Sequence, residues 1–118
     1  MSDDVIDTRK LKNRIKGIFI MTIEKILNGE SATLVMAGRL DTQTAPELEK
    51  ELDAISHGLK ELTFDMNALE YVSSAGLRVI LKAQKIMNAQ GSMKLIGVND
   101  SIMEVFDITG FLDILTIE

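Results

Sequence analysis

Two adjacent serines lie where a helix is predicted to begin, and they are the residues best placed to do chemistry. The run Ser73-Ser74-Ala75-Gly76 separates a strand-like segment from a helical stretch. The first turn of a helix has N–H groups without intrahelical partners, and the helix dipole is positive there. One serine is enough to cap these groups, while Gly76 would let a large group approach the backbone. The second serine is then available to carry a phosphate, although a purely capping role for the pair explains it equally well.

A serine hydrolase is the enzymatic alternative, and the sequence disfavours it. A serine nucleophile needs a base within reach, and the single histidine, His57, is predicted at the far end of an earlier helix, where a solvated position explains it. The Gly-x-Ser-x-Gly pattern of many hydrolases is also absent. Ser74 is therefore expected to be a substrate of another enzyme, and the chain itself is not expected to be an enzyme.

The composition disfavours sites that need a metal ion or a cofactor. The chain has no cysteine and one histidine, which removes thiolate sites and the usual multi-histidine sites. Asp41 and Asp65 are single carboxylates, and we interpret them as a turn or capping residue and a hydrogen-bonded strand-end residue. No glycine-rich nucleotide-binding motif occurs. We expect neither a metal nor a cofactor, and the seven methionines are interpreted as core residues.

The charge and hydropathy of the chain bear on its partners and location. The net charge is −5, and aromatic residues make up 4% of the sequence, which disfavours direct nucleic-acid binding. No apolar run approaches the roughly 20 residues of a membrane span, and no signal-peptide pattern opens the sequence. We therefore expect a cytoplasmic protein without a membrane span.

The charge divides the chain into an extension, residues 1–20, and a domain, residues 21–118. The extension has five basic and three acidic side chains, a net charge of +2, whereas the domain carries −7. Four apolar residues of the extension follow a helical spacing: Leu11, Ile15, Ile18 and Phe19. The extension is interpreted either as a disordered tail or as a short basic amphipathic helix for a membrane surface or an acidic partner.

The apolar pattern of the domain predicts the elements that position the two serines. Strands are expected at residues 21–27, 32–37, 62–66, 93–97 and 112–117, with a hairpin turn at Asn28-Gly29. Helices are expected from Thr44 to near Gly58, from the serine pair to about Asn88, and from Ser101 to Gly110. Capping boxes are predicted at Thr44/Glu47 and at Ser101/Glu104, and a loop is expected at residues 67–71. The order β-β-α-β-α-β-α-β predicts a small α/β domain with a mixed, mostly parallel sheet and crossover helices.

Three blocks of residues together resemble one known family, the STAS domain of the bacterial anti-sigma factor antagonists. The blocks are Gly38-Arg-Leu-Asp-Thr-Gln-Thr-Ala45, Tyr71-Val-Ser-Ser-Ala-Gly-Leu-Arg-Val-Ile-Leu81 and Val105-Phe-Asp-Ile-Thr-Gly-Phe111. The second resembles the family signature, often Asp-Ser-Ser/Thr-Gly-Leu, with Ser73 in place of its aspartate and Ala75 in place of its second hydroxyl residue. The resemblance covers essentially all of residues 21–118.

The resemblance implies a switch that phosphorylation controls. In this family, the unphosphorylated domain binds an anti-sigma factor that is also a serine kinase, and sigma-dependent transcription is thereby regulated. Phosphorylation at the start of the second helix releases the domain, and a serine phosphatase restores it. Alignment through Gly76 and Leu77 places the acceptor at Ser74, with Ser73 as the second choice. The resemblance also implies a partner-binding surface, formed by Asp41, Thr42, Ser73, Ala75, Gly76, Leu77 and Arg78.

A STAS domain can also serve other purposes, so a second function stays open. Such a module is an adaptor in some sensory complexes and a soluble subunit in some transporters. The serine pair at the helix start favours the phosphorylated switch, because an adaptor does not need to retain it.

Overall fold

The hairpin predicted at Asn28-Gly29 opens the fold in a computed structural model that describes residues 21–118. Gly29 adopts a left-handed conformation, with φ of 63°, which glycine tolerates without strain and which lets the chain reverse within two residues. The two strands of the hairpin are β1 (Thr22–Asn28) and β2 (Ser31–Leu40). The expectations for residues 1–20 lie outside the described part of the chain.

Two crossover units follow the hairpin and complete a mixed sheet. The elements are α1 (Ala45–Ile55), β3 (Glu61–Val72), α2 (Ser74–Gln90), β4 (Ser92–Ile96) and α3 (Asp100–Thr109). The strand order is β1-β2-β3-β4, with one antiparallel pair, β1 with β2, and two parallel pairs. Parallel neighbours require crossovers, and α1 and α2 supply them. The predicted mixed α/β architecture, with its initial hairpin, is confirmed.

The core lies between the sheet and the helices and matches the predicted apolar faces. Leu62, Phe64 and Met66 alternate along β3, and each is at most 1% exposed. The stripe predicted on α1 is buried through Ala45, Leu48 and Leu52, with Ile55 partly buried. Five methionines are buried core residues, in agreement with the prediction for this residue type: Met21, Met36, Met66, Met87 and Met93.

The loop expected at residues 67–71 is wrong, because β3 continues through it to Val72. The alternation of burial breaks after Met66, and the next buried residues, Leu69 and Val72, are three apart. The pairing of β2 with β3 shifts register twice along this stretch. Such irregularities remove the period-two pattern from the sequence while the strand continues, which explains the error.

The strand expected at residues 112–117 is also wrong. Gly110 ends α3 in a left-handed conformation, and a 3-10 turn, Phe111–Asp113, follows it. Ile114 and Leu115 both donate their backbone N–H to the Phe111 carbonyl. These bonds hold the chain in a turn, so that only Ile117 forms a bridge with β4, at Leu95.

The capping box expected at Ser101 and Glu104 is replaced by a cap two residues earlier, at Asn99. Asn99 accepts the N–H of Ile102 at 2.8 Å, and its side-chain amide donates to the Leu69 carbonyl at 3.0 Å. The second bond ties the start of α3 to β3. This tertiary contact selects the earlier helix start, and Ser101 lies inside the helix.

The first prediction concerns the core beneath the sheet. Phe64→Ala should lower the free energy of unfolding by about 3–5 kcal/mol, because the wholly buried ring would leave a cavity. Urea denaturation monitored by circular dichroism measures the change. Thr63→Ala, on the opposite and partly exposed face of the same strand, is the matched control and should change the free energy by about 0.5 kcal/mol or less. Equal losses in the two variants would contradict this assignment of the core.

Candidate functional site

The ends of β2 and β3 lie side by side, and this brings the two predicted site segments together. Leu40 pairs with Val72, and the Ser73 N–H donates to the Leu40 carbonyl at 2.8 Å. The chain therefore enters α1 and α2 at the same edge of the sheet. We call this region, formed by residues 39–44 and 71–77, the carboxyl edge.

The two serines have separate positions at the start of α2, as expected. Ser73 is the N-cap, and its hydroxyl oxygen accepts the N–H of Gly76 at 3.4 Å. Ser74 is the first residue of the helix, and its side chain is exposed. Within residues 21–118, no group forms a hydrogen bond with the Ser74 hydroxyl, and none accepts the backbone N–H of Ser74 or Ala75. Ser74 therefore has a free hydroxyl beside free N–H donors at the positive end of a 17-residue helix.

Asp41 organises the connection between β2 and α1, in agreement with its interpretation as a turn residue. One carboxylate oxygen, Oδ1, accepts the N–H of Gln43 at 3.0 Å and that of Thr44 at 3.1 Å. Its backbone carbonyl accepts the N–H of Ala45 at 2.8 Å. Asp41 thus satisfies backbone donors of the turn that leads into α1.

The capping box predicted at Thr44 and Glu47 is therefore wrong. Thr44 is 2% exposed, and its hydroxyl points back to the strand end instead of capping α1. The hydroxyl donates to the Arg39 carbonyl at 2.7 Å and accepts the N–H of Asp41 at 2.8 Å. Thr44 thus closes the turn with its hydroxyl, and the Glu47 N–H bonds to the Thr44 backbone carbonyl instead, at 3.0 Å.

A stacked pair at the carboxyl edge was missed by the sequence analysis. The Arg39 guanidinium lies 4.1 Å from the centre of the Tyr71 ring, and Tyr71 is 40% exposed. Arg39 Nε is also 3.9 Å from a carboxylate oxygen of Asp41. Arg39 and Tyr71 are cross-strand neighbours in β2 and β3. The sequence shows an Arg and a Tyr 32 positions apart, so that only the register of the sheet reveals the pair.

Gly76 and Leu77 lie beneath the carboxyl edge rather than on it. A Cβ added at Gly76 would come within 2.6 Å of Leu40 Cγ and 3.0 Å of the Leu40 carbonyl oxygen. The missing side chain thus serves the packing of α2 on the end of β2, and the space is filled by Leu40 instead of being open to a ligand. Leu77 is 7% exposed and belongs to the core.

The other residues expected to bind a partner share one accessible surface. Thr42, Ser74 and Arg78 are exposed, and Asp41, Ser73 and Ala75 are half-buried. The role of these residues in partner binding stays a prediction, with Gly76 and Leu77 placed as supports below the surface.

A groove of about 260 Å³ separates the first turns of α1 and α2. Its lining includes Pro46 and Glu49 of α1 and Ala75, Arg78 and Lys82 of α2. Lys82 joins the helices, with its ammonium 2.8 Å from Glu49 and 3.0 Å from Asp53. Hydrogen bonds to Glu49 and then to Asp53 raise the pKa of Lys82 above its ordinary value. The ammonium therefore stays charged at neutral pH, and the groove contains both signs of charge.

His57 lies at the other edge of the sheet, exposed and after the end of α1. The 12-residue strand β3 separates it from the serines, a span of roughly 35 Å at the usual rise per residue. It cannot serve as a base for Ser74 in this fold. Asp65 accepts the backbone N–H and the side-chain amide of Asn67, as predicted for a hydrogen-bonded residue. Its expected position at a strand end is wrong, because β3 continues to Val72.

Two further observations concern metals and membranes. Among the residues of the described domain, no three His, Cys, Asp or Glu side chains form a group that could hold a metal ion. Within the same part of the chain, every helix is too short or too polar to span a bilayer.

Comparison with known proteins places this chain among relatives of one kind. The STAS domain profile matches residues 13–118. The chain is 37% identical over 84 residues to BtrV of Bordetella bronchiseptica, whose name assigns it to the anti-sigma factor antagonists, and the match covers 70% of this chain and 72% of that protein. It is 32% identical over 83 residues to the anti-sigma-B factor antagonist of Bacillus subtilis, covering 70% and 76%.

Solved structures share the fold. An anti-sigma factor antagonist from Mycobacterium paratuberculosis superposes with a TM-score of 0.75 and 18% identity, covering 83% of this chain and 85% of that one. SpoIIAA of Bacillus in its phosphorylated form gives a TM-score of 0.65 with 15% identity, covering 84% and 91%.

The buried hydroxyl of Thr44 generates a second prediction. Thr44→Val should lower the free energy of unfolding by about 1–3 kcal/mol, because it leaves the Arg39 carbonyl and the Asp41 N–H without their partner. Thr44→Ser keeps the hydroxyl and is the matched control, and it should retain most of the stability. Thermal or urea unfolding of the two variants decides the matter, and a Val variant as stable as the Ser variant would refute the role of the hydroxyl.

The contact between Gly76 and Leu40 generates a third prediction. Helix propensity favours alanine over glycine by about 1 kcal/mol, but overpacking against a rigid neighbour costs about 1–3 kcal/mol. Leu40 is fully buried, so the clash should dominate, and Gly76→Ala should be less stable than the parent chain. The control is the same substitution in a Leu40→Ala background, where it should be neutral or stabilising. The same loss in both backgrounds would show that the Leu40 side chain is not responsible.

Proposed function

The chain belongs to the STAS domain family of the anti-sigma factor antagonists, and we propose that it is an antagonist released from its partner by phosphorylation of Ser74. In the unphosphorylated form, the carboxyl edge binds an anti-sigma factor that is also a serine kinase. Binding occupies the anti-sigma factor, and sigma-dependent transcription is thereby regulated. A serine phosphatase removes the phosphate and restores binding.

The observation that carries this proposal is the division of roles between the two serines. Ser73 already caps α2, so a change at Ser74 leaves the cap in place. Ser74 Oγ is exposed and has no hydrogen-bond partner within the described domain, so a kinase can reach it. SpoIIAA, which shares the fold, was solved in both phosphorylated and unphosphorylated forms, which supports a fold that tolerates the modification.

The chemistry takes place in the partner, and this chain supplies the acceptor. Ser74 Oγ attacks the γ-phosphorus of ATP, and the bond from that phosphorus to the ADP oxygen breaks as the new O–P bond forms. The hydroxyl proton passes to a base of the kinase, and ADP leaves. Ser74 needs no base in this domain, in keeping with the remote position of His57.

The product has a charge that the complex cannot accommodate. A phosphoserine adds about −1.5 to −2 charges and three acceptor oxygens at neutral pH. In the free domain, the positive end of α2 and the free N–H groups of Ser74 and Ala75 favour this charge. In the complex, the same group must lose its water, and an unpaired buried charge costs several kcal/mol. Phosphorylation thus weakens the interface without disturbing the fold.

The exposed surface around Ser74 supplies the contacts that hold the partner, and phosphorylation would disrupt these contacts. Tyr and Arg are the residues enriched in the energetically dominant parts of interfaces, and Arg39 and Tyr71 already lie stacked at the carboxyl edge. Their mutual contact limits the freedom that each side chain must give up on binding. Arg78 and Thr42 extend this surface across the groove between α1 and α2.

The fourth prediction tests the acceptor. The full chain is used to capture its partner from a lysate of the source bacterium, ATP and magnesium are added, and phosphate is located by mass spectrometry. The parent chain should acquire one phosphate, on Ser74, and should release the partner kinase. Ser74→Ala should capture the same kinase. It should not accept phosphate, and the kinase should stay bound. Ser73→Ala is the matched control and should still be phosphorylated, because it removes only the cap, worth about 1 kcal/mol.

A binding measurement with the captured kinase completes the test. Ser74→Asp should bind at least about tenfold more weakly than the parent chain, a difference of about 1.4 kcal/mol. Phosphate on Ser73, or equal binding by the Asp variant, would overturn the proposal. Capture of a sensory complex or a transporter without a kinase would favour the adaptor function of a STAS domain.

A further inference from the structure

A groove along the outer side of α3 is not used by the proposed switch. It has a volume of about 410 Å³, and Met103 and Leu112 supply its apolar lining. Its charged lining comes from Asp100, Glu104 and Asp107, which lie on one side of the helix at spacings of four and three. The groove thus combines an apolar surface with a row of carboxylates.

Large apolar side chains near the end of α3 remain exposed. Ile108 is 80% exposed, Ile114 is 48% exposed and Leu112 is 38% exposed. A single exposed apolar residue is ordinary, but three within seven positions beside a groove indicate a surface that is covered by something. The occupant must offer apolar side chains to this surface and positive charge to the carboxylates.

The described domain provides no cation for these carboxylates. Its ion pairs use Lys25, Arg39, Lys82 and Lys94, and none of them involves an acidic residue of α3. Asp113, in the turn after α3, adds another negative charge nearby. A positively charged occupant therefore gains electrostatic attraction without displacing an existing pair within residues 21–118.

We propose that the groove is occupied by residues 9–16 of the same chain. This segment contains five basic residues, Arg9, Lys10, Lys12, Arg14 and Lys16. Between them, Leu11 and Ile15 are four positions apart, the spacing of one helical face. The segment therefore offers positive charge to the carboxylates of the α3 groove and apolar side chains to its apolar lining.

The topology puts the segment within reach of the groove. Residues 17–21 connect this segment to β1, whose first residue, Thr22, pairs with Ala37 near the carboxyl end of β2. α3 begins four residues after the carboxyl end of β4, at the same edge of the sheet. The edge from β1 to β4 spans three strand spacings, roughly 14 Å, and five extended residues cover about 16 Å. Residues up to and including Lys16 can therefore reach α3 without unfolding any described element.

The intramolecular contact has a consequence for partners. The segment covers α3 at high effective concentration, because it is tethered to the same domain. A partner that binds α3 must displace the segment. Salt weakens the contact between the segment and α3, because the paired charges are exposed. The contact is independent of Ser74 and goes beyond the proposed switch.

A spin label on the segment tests the contact in the full chain. The chain has no cysteine, so Asn13→Cys supplies a unique site for a nitroxide. In an isotope-labelled sample, the backbone amide signals of α3 should lose at least about half of their intensity at low salt, and those at the far end of α1 should lose little. Reduction of the nitroxide provides the reference intensities.

Charge reversal makes the test specific. The pair Glu104→Lys and Asp107→Lys should abolish the loss of intensity at α3. The matched pair Glu47→Lys and Glu70→Lys changes the net charge equally at exposed positions outside α3 and should leave the loss intact. Adding Arg14→Glu and Lys16→Glu to the α3 reversal should restore it.

Three outcomes would overturn the proposal. One is an α3 signal that charge reversal does not change. Another is comparable broadening when an isotope-labelled chain without nitroxide is mixed with unlabelled, nitroxide-bearing chain, since the occupant is then a second copy. The last is an unaffected α3 together with binding of the full chain to vesicles of anionic phospholipid, which assigns the segment to a membrane surface. None of these outcomes bears on phosphorylation of Ser74.

Discussion

The parallel pairing of β2 with β3 is the constraint on which the functional surface depends. Because Leu40 and Val72 are aligned and the Ser73 N–H donates to the Leu40 carbonyl, the two helices that follow must begin at the same edge. This proximity places Asp41 and Thr42 beside a helix start that is more than 30 positions away in the chain. Gly76 completes the arrangement, since its missing side chain makes room for Leu40 under the first turn of α2.

The chemistry at this edge follows from which donors and acceptors are already satisfied. Asp41 and Thr44 close the entrance to α1 with their own hydrogen bonds, so that turn is a rigid support. At the entrance to α2, Ser73 takes one N–H, and Ser74 is exposed beside N–H donors that have no acceptor within residues 21–118. One helix start is thus internally completed and the other has an exposed hydroxyl, and the proposed switch rests on this asymmetry. The proposed switch uses no metal, thiol or base of this domain, because the proposed kinase partner would supply the catalyst.

The errors in the predicted elements have a common physical origin. Residues 67–71 were expected to form a loop because register shifts with β2 erase the alternation of apolar residues in β3. The start of α3 was misplaced because the side-chain amide of Asn99 donates a hydrogen bond to the carbonyl of Leu69, a residue of β3. The last strand was expected from its apolar composition, but the turn after Gly110 uses the backbone donors of Ile114 and Leu115 locally. In each case a contact or a backbone conformation beyond the local sequence pattern decided the outcome.

The sequence by itself determined the α/β class, the hairpin, the order of the principal elements, the buried faces of β3 and α1, and the serine pair at the start of α2. These features follow from hydrophobic periodicity, glycine positions and helix-start residues, which act over a few neighbouring positions. Only the tertiary structure decided that Gly76 and Leu77 lie below the surface, that Arg39 stacks on Tyr71, and that Thr44 bonds backward to a strand. Those contacts depend on strand register and helix packing, in which residues distant in the chain compete for the same space and the same hydrogen-bond partners.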